Sequence, residues 1–61
     1  MTLFFLQPST GCMHLAQPGG ESERQARLAG CVLVPDDDLR RVTHMTRAER
    51  REWAAAEKVK A

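Results

Sequence analysis

The hydrophobic positions form short runs separated by turn-forming residues. Residues 2–6 read Thr-Leu-Phe-Phe-Leu, a composition typical of a β-strand, and both faces of this strand are apolar. Pro8 and Gly11 lie in a predicted turn, and residues 12–16 are the predicted return strand of a hairpin. A strand apolar on both faces is either central in its sheet or covered twice, by its own helix and by another chain.

The next run predicts a short helix over residues 23–29. It follows the loop Gln-Pro-Gly-Gly at 17–20, with Ser22 as the expected N-cap and Gln25 as the capping-box partner. Gly30 is expected to end the helix in a left-handed conformation. The side chains expected to be buried are those of Ala26, Leu28 and Ala29.

A third strand is predicted at residues 31–34, a β-branched-rich run between Gly30 and Pro35. The Asp residues at 36–38 break this strand and provide a cap for a single helical turn over 39–42. The last predicted element is a helix over residues 47–60, with Thr46 as the N-cap and Glu49 as its capping-box partner.

This order of elements predicts a small α+β domain spanning residues 1–61. We expect a three-stranded, mainly antiparallel sheet in the order β-β-α-β-α, with the C-terminal helix packed on one face. A chain of 61 residues buries a small core, with net stabilisation of about 3–5 kcal/mol. We therefore expect no enzymatic activity, because a self-contained substrate pocket needs more protein around it.

The formal net charge of +1 is the sum of three unlike segments. Residues 1–20, the predicted hairpin, contain no Asp, Glu, Lys or Arg. Residues 21–38, the helix-strand segment, are acidic, whereas residues 39–61, which contain the C-terminal helix, are basic. Such segregation of charge bears on binding partners rather than on fold.

The predicted C-terminal helix has one basic side. At 100° per residue, Ala54 lies among the basic side chains, and the side carrying Trp53 is predicted to pack on the sheet. Broadly opposite the basic side lie Met45, Ala48, Trp53, Ala55, Ala56 and Val59. The residues predicted to bind a partner are Arg40, Arg41, Arg47, Arg50, Arg51 and Lys58. The alternative interpretation is a solvated helix face.

Two Cys and two His match the ligand inventory of a tetrahedral zinc site, but their spacing does not. Cys12 and His14 are separated by one residue, and Cys31 and His44 each stand alone. A zinc site or a disulfide needs Cys12 and Cys31 on neighbouring strands. We expect two reduced thiols and neither metal nor cofactor. Phosphate-binding and calcium-binding loop motifs are absent from the sequence, and no acid is placed to orient a Cys-His pair.

The longest apolar run near the start has four residues, far fewer than a membrane span or a secretory signal requires. We therefore expect a cytoplasmic protein that does not enter a membrane. Arg outnumbers Lys seven to two, a bias common in GC-rich genomes, which suggests a bacterial or phage origin.

These features predict a small regulatory or inhibitory protein-binding module that uses its basic helix to bind an acidic macromolecule. The first alternative is a nucleic-acid-binding protein, which the sequence pI of about 7.9 and the shortage of aromatic residues disfavour. The second alternative is a structural protein that acts as a homo-oligomer. A homodimer through the first strand, by edge pairing or by burial of its second face, is left open.

Overall fold

The computed structural model describes residues 2–60, so the two ends of the predicted 1–61 range lie outside it. It contains three strands and three helices, in the order β-β-α-β-α-α. The elements are β1 (Leu3–Leu6), β2 (Met13–Ala16), α1 (Glu21–Leu28), β3 (Val32–Leu33), α2 (Asp36–Thr43) and α3 (Arg47–Lys60). The strands form one antiparallel sheet in the order β2-β1-β3. The predicted α+β class and the packing of the C-terminal helix on the sheet are confirmed.

The predicted hairpin is confirmed, and its turn lies over residues 8–11. β1 and β2 pair antiparallel with Leu3 opposite Ala16 and Leu6 opposite Met13. The Gly11 N–H donates to the Gln7 carbonyl at 2.7 Å, and Gly11 has a φ of 76°. This left-handed conformation is readily available to glycine and explains why glycine closes the turn.

The two faces of β1 are buried by different helices of the same chain. Phe5 packs on one face with Ala16 and with Ala26 of α1. Leu6 packs on the other face with Val42 of α2, in a cluster completed by Val34 and Ala54. The strand is therefore both central and doubly covered. This arrangement offers no support for a homodimer through β1, by edge pairing or by burial of its second face, and that homodimer stays a prediction.

Helix α1 begins two residues before the predicted start. Ser22 is not its N-cap: the cap position is Gly20, and the Ser22 hydroxyl accepts a hydrogen bond from the Gln17 N–H at 3.0 Å. The predicted end is confirmed, since Gly30 has a φ of 81°. Of the three residues expected to be buried, Ala26 is, whereas Leu28 is 72% exposed and Ala29 is exposed.

The end of α1 is a Schellman motif. The Cys31 N–H donates to the Ala26 carbonyl at 3.0 Å, and the Gly30 N–H donates to the Arg27 carbonyl at 3.1 Å. These two bonds satisfy carbonyls that a helix end leaves without partners. They also direct the chain into β3.

β3 is shorter than predicted and α2 is longer. The ladder assigned to β3 contains two residues, although the Val34 N–H still donates to the Phe4 carbonyl at 2.8 Å. The Asp residues at 36–38 form the first turn of an eight-residue helix instead of capping a single later turn. Three acids near the positive end of the helix dipole stabilise this early start.

The bounds and cap of α3 are confirmed. The Thr46 N–H donates to Glu49 Oε1 at 2.8 Å, and the Glu49 N–H donates to Thr46 Oγ1 at 3.2 Å, forming the reciprocal capping box. No helix within residues 2–60 is long and apolar enough to span a membrane.

The predicted orientation of α3 is correct only in part: Met45 and Trp53 pack against the core as predicted, and the other positions do not. Ala54, expected on the free basic side, is fully buried against the sheet. Trp53 packs on the edge of the same cluster, whereas Val59, expected to be packed with it, is 85% exposed. The remaining alanines expected on the packed side, at positions 48, 55 and 56, are also exposed. The small side chain of Ala54 allows α3 to pack closely on the sheet.

Candidate functional site

The six basic residues predicted to bind a partner fall into three groups. Arg40 and Arg41 lie on α2, and Lys58 lies near the end of α3. Arg47, Arg50 and Arg51 lie in the first two turns of α3 and surround the tip of the hairpin. We call Gly11 together with these three arginines the Gly11 cluster.

The centre of this cluster is the buried backbone of Gly11. A Cβ atom at this position would lie 2.5 Å from the Arg47 carbonyl oxygen, 2.9 Å from Arg47 Cγ and 3.0 Å from Arg51 Cγ. Real Cβ atoms do not approach other heavy atoms so closely. The missing side chain therefore lets the hairpin turn lie directly under the first two turns of α3.

Arg50 links three parts of the fold. Its Nε donates to the Gly11 carbonyl at 2.8 Å, and one terminal nitrogen donates to the Met45 carbonyl, also at 2.8 Å. The side chain is partly buried, and both acceptors are backbone atoms. The guanidinium thus joins the hairpin turn to the connection between α2 and α3. This is a structural role for a residue that the sequence assigned to the partner-binding surface.

Arg47 and Arg51 differ from Arg50 because both are exposed. They are separated by one helical turn, and their aliphatic parts converge over Gly11. Within residues 2–60, no carboxylate lies within ion-pair distance of either guanidinium. The cluster therefore presents two neighbouring positive charges that the described chain does not neutralise.

Three other exposed arginines are paired with acids on their own helices. Arg27 binds Glu23 at 2.8 Å and also lies over the Phe5 ring, 5.6 Å from its centroid. Arg41 binds Asp38 at 2.9 Å. Arg24 lies 3.8 Å from Glu21, a weaker contact. The positive charge of these side chains is thus partly cancelled locally.

Arg40 and Lys58 lie apart from the Gly11 cluster. Arg40 is exposed on α2. The Lys58 ammonium would lie 3.2 Å from a Cβ at Gly30, which places it at the C-terminal end of α1. A cation at this end of a helix interacts favourably with the helix dipole. Lys58 therefore lies at the end of α1, and the structure does not join all six basic residues into one surface.

An open groove of about 360 Å³ lies beside Arg51. Its apolar lining comes from Pro8 of the hairpin turn and from Ala48 and Ala55 of α3, while Arg51 and Glu52 supply its charged atoms. These alanines are exposed because α3 presents this side outward. Arg51, which has no ion pair among the described residues, thus lies next to a surface that can accept a small apolar side chain.

The Cys and His residues do not converge on one site. Cys12 and Cys31 directly precede β2 and β3, and β1 lies between these two strands. Two strand spacings are about 10 Å, beyond the Cα distance that a disulfide can span. Both thiols are free, and burial raises the pKa of Cys31, with Lys58 acting in the opposite direction. Among the residues described, no three Cys, His, Asp or Glu side chains are arranged to hold a metal ion.

Sequence reasoning assigned Arg47 and Arg51 to a candidate surface but missed the link between Gly11 and Arg50. Gly11 was recognised as a turn glycine, and Arg50 as one member of a basic side. Their contact joins positions 39 residues apart, and no local pattern predicts such a distance in space. Ala54 was the one local signal that this side of α3 packs on the sheet, because its small side chain permits close packing.

No protein family model, curated protein or solved structure matches this chain significantly.

Proposed function

We propose that this chain is a small, non-enzymatic regulatory or inhibitory module that binds an acidic surface on a protein partner through Arg47 and Arg51. The observation that carries this proposal is the contrast among the exposed arginines. Those at 24, 27 and 41 lie beside carboxylates of their own helices, whereas Arg40, Arg47 and Arg51 have none within ion-pair distance among the described residues. Of these three, only Arg47 and Arg51 lie together, at Gly11. Two uncompensated guanidinium groups are suited to bind carboxylates of a partner.

The placement of these charges is unfavourable for the helix itself. Arg47 occupies the first turn of α3, where the helix dipole favours acids. Arg51 follows at i+4, and like charges at this spacing cost a few tenths of a kcal/mol. A bound carboxylate relieves both effects. Binding of a partner therefore accounts for arginines at these two positions, whereas helix stability does not.

The packing at Gly11 also favours binding. The aliphatic parts of Arg47 and Arg51 are in contact with the turn, so less side-chain freedom is lost when the guanidinium groups bind. The apolar lining by Pro8, Ala48 and Ala55 lies next to Arg51. The partner segment we propose therefore carries two carboxylates one helical turn apart and a small apolar residue beside them.

We further propose that the protein acts in the cytoplasm of a bacterium or is encoded by a phage. Its excess of Arg over Lys supports this origin. The two free thiols are compatible with a reducing compartment.

A nuclear magnetic resonance titration tests the binding surface. The probe is a short helical peptide with two Glu residues at i, i+4 and an adjacent Ala, and its control has Gln in place of Glu. We expect the side-chain Nε signals of Arg47 and Arg51 to shift with the Glu peptide, and those of Arg24 and Arg27 to remain in place. Shifts spread equally over all arginines, or equal shifts with the Gln peptide, would argue against the proposal.

The same titration with a DNA duplex tests the nucleic-acid alternative. A phosphate-binding surface loses affinity steeply as salt rises, with a slope that scales with the number of phosphates contacted. We expect duplex binding to be weaker than peptide binding at moderate salt. Tighter binding to the duplex, with a steep salt dependence, would favour the nucleic-acid function instead.

A further inference from the structure

β2 is an edge strand whose outward backbone groups can be identified from the ladder. The Gln7 N–H donates to the Cys12 carbonyl at 3.0 Å, so this pair is of the hydrogen-bonded type. Hydrogen-bonded pairs alternate along an antiparallel ladder, which makes Phe5–His14 the next pair of this type. The N–H and C=O groups of Met13 and Leu15 consequently point away from β1. Together they present two donors and two acceptors along the free edge.

This edge lacks the features that usually prevent strand addition. Edge strands are commonly protected by charged residues, proline, bulges or short length. β2 has four residues in continuous register, and residues 1–20 contain no charged residue. Leu15 is 64% exposed. The opposite edge differs, because β3 contains two residues and is followed by Pro35.

We propose that β2 pairs antiparallel with β2 of a second copy of this chain, forming a two-fold symmetric dimer with a six-stranded sheet. One register uses all four outward groups on each copy: Met13 pairs with Leu15 of the second copy, and Leu15 pairs with its Met13. His14 then faces its own counterpart across the two-fold axis, in a non-hydrogen-bonded pair. This pairing makes four backbone hydrogen bonds between the copies.

The side chains and the charge distribution fit this pairing. Met13 already packs against the cluster that contains Leu6, and Leu15 lies on the same face of the sheet. The second copy's Met13 and Leu15 extend this apolar surface across the axis. Because the first 20 residues are uncharged, the two hairpins approach without repulsion between like charges. A second copy therefore matches the edge in hydrogen bonding, apolar contact and charge.

Sedimentation of the full chain over a concentration series tests this dimer. We expect the mass to rise from 6.8 kDa towards twice that value between about 10 µM and 1 mM. Leu15→Lys places like charges close to the axis and should raise the dissociation constant at least tenfold. The matched control is Leu28→Lys, which changes a leucine of similar exposure on α1 and should leave the constant within twofold.

A second variant separates pairing from folding. Leu15→Pro removes an N–H that faces outward, so pairing with β1 is retained. Each copy then lacks one of the N–H groups that donate to the other copy. Circular dichroism checks the fold. In the wild type, we expect the Met13 and Leu15 amides to exchange more slowly with solvent as concentration rises. A chain that stays monomeric at 1 mM, or equal effects of Leu15→Lys and Leu28→Lys, would overturn the proposal.

Discussion

At the scale of single residues, Gly11 determines how closely α3 approaches the hairpin. Its backbone is buried under Arg47 and Arg51, and its carbonyl accepts the hydrogen bond from Arg50. Glycine is needed here for two separate reasons, the positive φ and the absence of space for a Cβ. Gly19 shares only the first reason, because a Cβ there would meet nothing within 4 Å. Alanine substitutions at the two glycines can therefore be compared to separate the effect of space from the effect of φ.

Gly11→Ala should destabilise the protein by about 3 kcal/mol, and Gly19→Ala by about 1 kcal/mol. Both variants place alanine at a positive φ, and only the first forces backbone and side chains apart. Urea denaturation of the two variants measures the difference. Equal losses would mean that α3 does not approach the turn as closely as described.

Arg50→Ala should cost about 2 kcal/mol of unfolding free energy, because it leaves the Gly11 and Met45 carbonyls without their charged donor. Arg40→Ala, the control, removes an exposed arginine and should change stability by less than about 0.5 kcal/mol. Arg50→Lys keeps the charge but lacks the planar group that reaches both carbonyls, so it should recover little. Urea denaturation measures these differences. If lysine restored the full unfolding free energy, the charge of Arg50 alone would account for its contribution.

At the scale of elements, the sequence predicted the bounds of α3 and the end of α1 better than the orientation of α3. The capping box of α3 and the glycine that ends α1 depend on residues within a few positions of each other. The orientation of α3 depends instead on which side chains the distant sheet accepts. Alanine contributes little to a hydrophobic pattern, and arginine can cover apolar surface with its aliphatic part. The pattern therefore placed Ala54 and Val59 on the wrong sides.

The difference between local sequence and three-dimensional context also explains why Ser22 and the Asp residues at 36–38 were wrongly predicted as caps. Each is a good capping residue by type, and each lies inside the first turn of its helix. Glu23 accepts the Gly19 N–H at 2.7 Å, a contact made by the loop before the helix. Loop geometry of this kind decides which of several polar residues becomes the cap.

Thr46→Ala should lower the unfolding free energy by about 1 kcal/mol, since it removes the hydroxyl that accepts the Glu49 N–H. Helix α3 should fray from its first turn, where Arg47 and Arg50 lie. Amide exchange at residues 47–50 should accelerate more than exchange in β1. Uniform acceleration throughout the chain would indicate that the cap has no local effect.

The carboxylates at two helix starts should make stability fall in acid. Hydrogen bonds from the Gly19 N–H, then from Arg27, lower the pKa of Glu23, and those from the Thr46 N–H, then from its side chain, lower the pKa of Glu49. A carboxylate whose pKa is lower in the folded state than in the unfolded state stabilises the protein above about pH 4.3. That contribution is lost as pH falls through the folded-state value. Glu23→Gln with Glu49→Gln should flatten stability measured from pH 6 to pH 3; an unchanged profile would contradict this assignment.

At the scale of the whole molecule, the fold separates two surfaces. The uncharged hairpin provides the free β2 edge, and the first turns of α3 provide Arg47 and Arg51 above the hairpin tip. The sequence shows where charges are concentrated along the chain, and the structure shows which of them are paired. Acids on α1 and α2 pair with Arg24, Arg27 and Arg41, and Arg50 is bound to backbone carbonyls. The exposed charge that remains at the Gly11 cluster is confined to two side chains.

The most direct test of the proposed function compares two charge-reversed proteins in affinity capture from nuclease-treated bacterial lysate. One carries Arg47→Glu and Arg51→Glu, and the other carries Arg24→Glu and Arg41→Glu, an equal change of charge at arginines that are already paired. Both must first show the circular dichroism of the wild type. We predict that the wild type and the second variant recover the same acidic protein and that the first variant loses it. Equal recovery by both variants would contradict the role of Arg47 and Arg51.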